Sequence, residues 1–355
     1  MFWIKSIELE NFRLFSNKKI DLDFCLTHLI GENGSGKSSI LEAIYVLAHQ
    51  RSFRTGKSLD KLIKNKEDFF KIKILIEKNK NEYLLECVKK NKNSVSWFLN
   101  KNRVHFREII DLFSVSLFHI GTMDFFNSTQ ERRRFLDFMA CKTHPGFLDF
   151  WSREQKILQQ RNALLGLEKS KKNSCFQSQI LVFDFQLIEI SEKTNRIRKE
   201  VFLGWLEFLK KEQGIQRYFD QGLEVEFFQG WSSDLELEEV LKKSLRKDLV
   251  LGYTRYGPHR FDIRLSLDEK PPSDFCSRGE LKMLLLDVFF SRICFLSSSN
   301  QDSICLLDDL VSELDMNNTS KIIERIQKQV KSQVILTTPL NINCFSEKQK
   351  KDVFL

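Results

Sequence analysis

No stretch of this sequence is long and uncharged enough to cross a bilayer; the best candidate, residues 284–296, is broken by Asp287 and Arg292. The first ten residues, MFWIKSIELE, lack the basic-then-apolar order of a signal peptide and run straight into strand-like alternation, so the expectation is a cytoplasmic protein with no membrane partner. Eight cysteines are scattered without a single CxxC pair, and the six histidines are equally dispersed. That pattern gives a local zinc motif no support and reads as reduced, mostly buried thiols. There is no internal repeat. From 131 to 212 glycines are few and Pro145 is the single proline, so little in that stretch interrupts a helix.

What is there is ordinary in bulk and informative in detail. At 355 residues, 42% hydrophobic and 29% charged, the chain can bury the core of one large domain or two of usual size. The net charge is +8, and residues 126–215 alone hold 16 Lys/Arg against 11 Asp/Glu. A moderate excess of this kind permits an anionic partner without requiring one.

Residues 3–9 alternate as a strand, and 20–26 form a second strand-like run. A short apolar stretch, 26–30, enters a glycine-rich turn, and Ile40, Leu41, Ile44 and Leu47 then fall on one helical face over 38–48. Residues 71–104 read as antiparallel hairpins between Asn/Lys turns. A helical stretch covers 131–212, with the polar KSKKNS run at 169–174 joining two long helices. Strand character returns at 223–228 and 261–267. A helix at 280–295, a strand at 304–307, a helix at 321–330 and a strand at 333–336 follow.

Two motifs carry chemistry. Gly31-Glu32-Asn33-Gly34-Ser35-Gly36-Lys37-Ser38-Ser39 contains GxxxxGK[ST] at a strand-to-helix turn. Glycines there let backbone N–H groups curl round phosphates, Lys37 reaches the β- and γ-phosphates of ATP, and the Ser38 hydroxyl ligates Mg²⁺. Ile304-Cys-Leu-Leu-Asp308-Asp309 is a buried parallel strand ending in two carboxylates, where open α/β sheets bind ligands. Asp308 is the expected Mg²⁺ holder and Asp309 the expected base for the attacking water. Three further segments carry two readings each and need the tertiary fold to decide. Ser277-Arg278-Gly279-Glu280, after a Pro-Pro break, opens a helix whose N-terminus could bind an anion or is an ordinary cap. Ser312-Glu-Leu-Asp315 follows the acidic pair, or is another cap; Thr337-Thr338 could face the γ-phosphate or begin a turn at Pro339.

Taken in order, the P-loop, SRGE, LLDD and SELD resemble the SMC-like branch of ABC-type ATPases, and within it the RecF family. The segments that carry the narrower likeness are Asn11-Phe12-Arg13, GENGSGKSSILEAIY (31–45), RSFRT (51–55), ERRRFLDFM (131–139), QRNALL (160–165), GPHR (257–260) and LLDDLVSELD (306–315). The resemblance implies an α/β, ABC-type (SMC-like) P-loop ATPase head formed from both chain ends, 1–125 and 216–355, with a helical arm inserted at 126–215. It implies a homodimer closed on ATP, each nucleotide lying between residues 31–39 of one copy and Ser277 and Gly279 of the other. It also implies ATP-dependent binding to single-stranded, duplex and gapped DNA, slow hydrolysis, and work with RecO and RecR in bringing recombinase onto gapped DNA. The chain departs from that pattern at Glu280 and Leu281, where the family favours glutamines, at Phe261 after GPHR, and at Gly121-Thr-Met-Asp124, where the family has Pro-Glu-Asp. An acidic Glu280 near a γ-phosphate repels it unless paired or turned away.

Candidate DNA contacts are Arg132, Arg133 and Arg134, Lys169, Lys171 and Lys172, and Arg51, Arg54 and Lys57. The competing readings are internal ion pairing of the arginine run with Glu131 or Asp137, and a solvated turn for the lysines. His259 in GPHR reads as a satisfied core histidine. A transporter subunit would need compact motif spacing, whereas Lys37 and Asp308 stand about 270 residues apart; a nuclease fusion would need a further acidic cluster.

Overall fold

The computed structural model describes residues 2–91, 94–168, 175–301, 303–310, 316–330, 332–339 and 351–355. The 169–174 run, the 312–315 segment and Cys344 lie outside them. The chain divides into two compact units, Met1–Met123 with Leu296–Leu355, and Asp124–Phe295.

The first unit holds two sheets. One is antiparallel, in the order Phe15–Asp21, Phe2–Phe12, Phe69–Lys78, Asn81–Lys90, Val95–Leu99, Asn102–Arg103. Its long strands alternate, with Ile72, Ile74 and Ile76 fully buried on the inner face. The other sheet is parallel, in the order Lys351–Phe354, Leu26–Ile30, Val334–Thr338, Ile304–Leu307, Val115–Phe118. Its strands 26–30, 304–307, 334–338 and 115–118 are buried at every position, as sheets covered on both faces require. The helix Lys37–His49 contributes Ile40, Leu41, Ile44 and Leu47 to one core with Ile4, Ile7 and Leu9 of the first sheet and Leu306 and Ile335 of the second. Gln333 ties the two sheets: its Oε1 accepts from Ile4 N at 2.8 Å, and its Nε2 donates to Ile4 O at 2.8 Å and Asp23 O at 2.7 Å. The head is thus assembled from segments that are distant in sequence.

The second strand runs over Phe15–Asp21 and not over 20–26: its polar first half pairs antiparallel with Phe2–Phe12, and Leu26 begins a strand of the parallel sheet. The strands Val115–Phe118 and Lys351–Phe354 add the two edges of the parallel sheet.

In the second unit the helices Phe147–Glu168 and Phe176–Leu209 run beside Thr129–Thr143 and Leu237–Leu251. Glu224–Phe228 and Asp262–Ser266 pair antiparallel. The division between units falls at 295. The reason is packing: Trp205 Nε1 donates to Ser291 Oγ at 2.9 Å, and the Arg198 guanidinium lies 4.2 Å from the centre of the Phe261 ring. Residues 216–295 therefore pack with 124–215. Arg161, fully buried, binds Asp184 (2.6 Å), Asp248 (3.1 Å) and Thr254 Oγ1 (2.8 Å), joining three helices. Among the described residues no helix is long and apolar enough to cross a membrane.

Candidate nucleotide-binding site

The turn at 31–36 follows the strand Leu26–Ile30 and opens the helix Lys37–His49. Gly36 has φ 103°, and a Cβ there would stand 2.4 Å from Phe15 Cζ; one on Gly31 would stand 2.7 Å from Ser35 Oγ and 2.9 Å from the Leu355 carbonyl. Only glycine fits either place. The Lys37 ammonium donates to the carbonyls of Gly31 (2.6 Å) and Glu32 (2.8 Å), closing the turn. The first helical turn carries no acidic residue, so its positive end faces no competing carboxylate of its own. Ser35 Oγ is shielded from solvent and has no hydrogen-bond partner among the described residues.

Asp308 extends the strand Ile304–Leu307, its N–H bonded to Phe118 O at 2.8 Å. Burial pushes its carboxyl up, while hydrogen bonds from Ser38 and Thr337 and the charge of Arg54 act in the other direction. Ser38 and Asp308, 270 residues apart in sequence, are thus neighbours, and hydroxyl plus carboxylate is an oxygen donor set suited to Mg²⁺. The Thr337 hydroxyl donates to Asp308 Oδ1 at 2.8 Å and accepts from Asp309 N at 2.9 Å. Asp309 is exposed and left-handed, with φ 52°. Thr337 therefore faces the acidic pair, and Thr338 is turned to His28, 2.7 Å from its Nε2.

Behind the P-loop lies a charged cluster whose members the sequence showed only as motif letters. Glu42, fully buried on the P-loop helix, receives a bidentate pair from Arg13 (2.8 and 2.7 Å) and a hydrogen bond from Ser52 Oγ. Ser52 Oγ in turn accepts the N–H groups of Arg54 and Thr55. This folds the RSFRT loop back along the helix and brings Arg54 within 3.8 Å of Glu42 and into the field of Asp308. Arg54, a candidate DNA contact by sequence, belongs beside the nucleotide site.

In the second unit Ser277 caps the helix Arg278–Ser298. Glu280 Oε2 accepts from Ser277 N (3.0 Å) and Oγ (2.9 Å), and Glu280 N approaches Ser277 Oγ at 3.4 Å. This is a reciprocal capping box. Arg217 reaches the other oxygen of Glu280 at 3.2 Å. The Ser277 hydrogen bonds, then Arg217, hold the Glu280 carboxyl below its ordinary range. Gly279 offers an open surface: a Cβ there would meet nothing within 4 Å.

Each arginine of the run has a partner within the chain. Arg132 forms a bidentate pair with Asp262 (2.8 and 2.9 Å), Arg133 Nε donates to Phe261 O at 2.6 Å, and Arg134 pairs with Glu131. Asp137 is taken by Arg198 at 2.8 Å. His259 has one ring nitrogen 3.1 Å from Thr254 O, and burial lowers its pKa to about 4, so the ring is neutral and Nε2 donates.

Residues 3–352 match the RecF/RecN/SMC N-terminal domain. The chain is 32% identical over 360 residues to the DNA replication and repair protein RecF of Francisella tularensis subsp. tularensis strain WY96-3418, covering 99% of this chain and 97% of that protein; the relative from subsp. novicida strain U112 is as similar. In fold it is similar to a recombination mediator protein RecF of the RecFOR pathway solved with ATP, with a TM-score of 0.85 at 24% identity, covering 96% of this chain and 93% of that one. A Smc head domain derived from Pyrococcus furiosus aligns at a TM-score of 0.55 and 19% identity, over 96% of this chain and 90% of that one. An ABC-type head of SMC type, likeness along nearly the whole length and a P-loop facing its acidic strand end agree: the chain belongs to the RecF family.

Proposed function

We propose that this chain is an ATP-switched, DNA-binding dimer of recombinational repair and replication. The observation that carries the reading is the approach of Ser38 to Asp308, which brings the two halves of a Mg·ATP site together from the two ends of the chain. When bound, Mg²⁺ neutralises β- and γ-phosphate charge. The chain's own residues do the rest. Backbone N–H groups of 31–39 cradle the phosphates, Lys37 exchanges its carbonyl partners for phosphate oxygens, Ser38 and Asp308 hold the metal, and Asp309 orients and deprotonates the attacking water. Ser277 and Gly279 of a second copy close over the γ-phosphate. Glu280 does not oppose that closure with a bare charge, since Ser277 and Arg217 already hold it. ATP binding then drives dimerisation on gapped, duplex or single-stranded DNA, slow hydrolysis resets it, and RecO and RecR are the partners in recombinase loading.

Sedimentation with and without ATP·Mg²⁺, each with and without gapped duplex DNA, tests the reading. Dimerisation and DNA binding that both require ATP support it. Lys37→Ala is expected to abolish ATP binding and ATP-dependent dimerisation together; wild-type dimerisation in that variant rejects the model.

A further inference from the structure

Along the strand Asn81–Lys90 the inward positions read Leu85, Cys87, Lys89: two fully buried apolar side chains, then a lysine that is only 6% exposed. Cys87 pairs in register with Trp97 and Lys89 with Val95. The inner face of the sheet thus ends in a cation where its core ends, and a cavity of about 500 Å³ opens there, beside the C-terminal end of the helix Lys37–His49. Arg51 and Lys57 line it with Lys89, against a single carboxylate among the described residues, Asp60, which lies 2.9 Å from Lys89 Nζ. Three cations to one acid leave a net positive charge inside a concavity, where protein walls concentrate the field.

Arg51 adds a more specific sign. Its Nε is shielded from solvent and has no hydrogen-bond partner among the described residues. A buried donor left without an acceptor is unfavourable, and an anion entering beside Arg51 would supply one. Guanidinium and ammonium together suit a tetrahedral oxyanion better than a planar carboxylate, since donors approach from several directions. The Glu42 cluster engages Arg13, Ser52 and Arg54. A second cavity of about 530 Å³ shares Gln50 and Val95 with the first and is lined by Trp97, Arg103 and His105. The cationic surface therefore continues past a single anion's reach.

We infer that this cleft seats a backbone phosphate of nucleic acid, with Arg51 and Lys57 as its donors and Lys89 as the charge behind them. The inference rests on the DNA-binding reading above and adds where on the head the strand is held.

The test is fluorescence anisotropy of a labelled gapped duplex with ATP and Mg²⁺ over a salt series. It compares the wild type, Arg51→Ala, Lys57→Ala, the double variant and the charge-keeping Arg51→Lys. The double variant is expected to bind at least about tenfold more weakly, with the slope of log K against log salt reduced by about one for each phosphate no longer neutralised. Arg51→Lys is expected to keep the slope and lose part of the affinity. ATP binding and the melting temperature stay at wild-type values, which separates a missing phosphate donor from a damaged fold. Wild-type affinity and slope in the double variant overturn the inference and leave the DNA reading standing; a wild type that binds no DNA overturns both. A parallel titration with inorganic phosphate, followed by tryptophan fluorescence, distinguishes the source of the anion. Phosphate binding that the double variant loses without any change in DNA binding overturns the nucleic-acid assignment.

Discussion

Thr337 donates its hydroxyl proton to Asp308 Oδ1 at 2.8 Å, and its oxygen accepts the N–H of Asp309 at 2.9 Å. One hydroxyl therefore fixes the rotamer of the expected metal ligand and supports the left-handed backbone of the expected base. Aspartate tolerates that region at a modest cost, and the Thr337 contact offsets it. Thr337→Val keeps the shape and removes both bonds. The expected outcome is a stability loss of about 1 kcal/mol and a fall in kcat of about tenfold, with ATP affinity changed less than kcat. Thr337→Ser restores both, measured as steady-state phosphate release beside a urea titration.

The P-loop glycines are unequal. Gly34 and Gly36 both have positive φ, 90° and 103°, but a Cβ on Gly34 meets nothing within 4 Å while one on Gly36 runs into the Phe15 ring. Gly34→Ala is expected to cost about 1 kcal/mol of backbone strain. Gly36→Ala adds a clash against a buried aromatic and is expected to cost about 2–4 kcal/mol and to eliminate ATP binding. Paired urea titrations check the order; equal losses contradict it.

The Gly-rich turn and LLDD were legible because each is a local pattern with a local cause, a tight turn before a helix and a buried strand ending in acids. Contacts that join distant segments were not. In the run 132–134 the local pair of Arg134 with Glu131 was legible, whereas Arg132 finds Asp262 across 130 residues. The edge strands Val115–Phe118 and Lys351–Phe354 are four residues each, too short for periodicity to announce. Arg54 read as a candidate DNA contact, and the bonds of Ser52 and Glu42 that fold its loop back on the P-loop helix were not visible in the sequence. Lys89 could have been found: a lysine in phase with Leu85 and Cys87 is a charge on a buried face. Glu280, expected to repel phosphate unless paired, is paired: it sits in a capping box three residues after Ser277.

Glu280→Gln separates the cap from the charge. Glutamine at the third helical position keeps the capping box, and the Arg217 pair is exposed on both sides (54% and 44%), so thermal stability is expected to change little. The carboxylate, however, holds Ser277 Oγ, the group proposed to meet a partner's γ-phosphate. A neutral amide keeps that bond but loses its charge-assisted strength, so Ser277 turns to a partner's phosphate more readily and ATP-dependent dimerisation is expected to tighten several-fold, by about 1 kcal/mol. Sedimentation with a slowly hydrolysed ATP analogue measures this; weaker dimerisation in the variant would show that Glu280 assists closure.

His259 makes the second unit sensitive to acid in a defined window. Burial is the main cause of its low pKa, about 4 against 6.5, and the charges of Arg260, Arg133 and Arg161 add to it. The unfolded chain binds a proton at this ring below pH 6.5 that the folded chain refuses until about pH 4. Stability from this group is therefore complete above 6.5 and is lost as pH falls towards 4. The expected loss between pH 7 and 4.5 is about 2–3 kcal/mol. His259→Gln keeps a donor for Thr254 O and has no proton to take up, so it removes this share of the pH dependence. The background from carboxylates common to both proteins cancels in the comparison. Urea titrations of wild type and variant at the two pH values check it, and parallel losses would mean that the ring becomes charged without unfolding its surroundings.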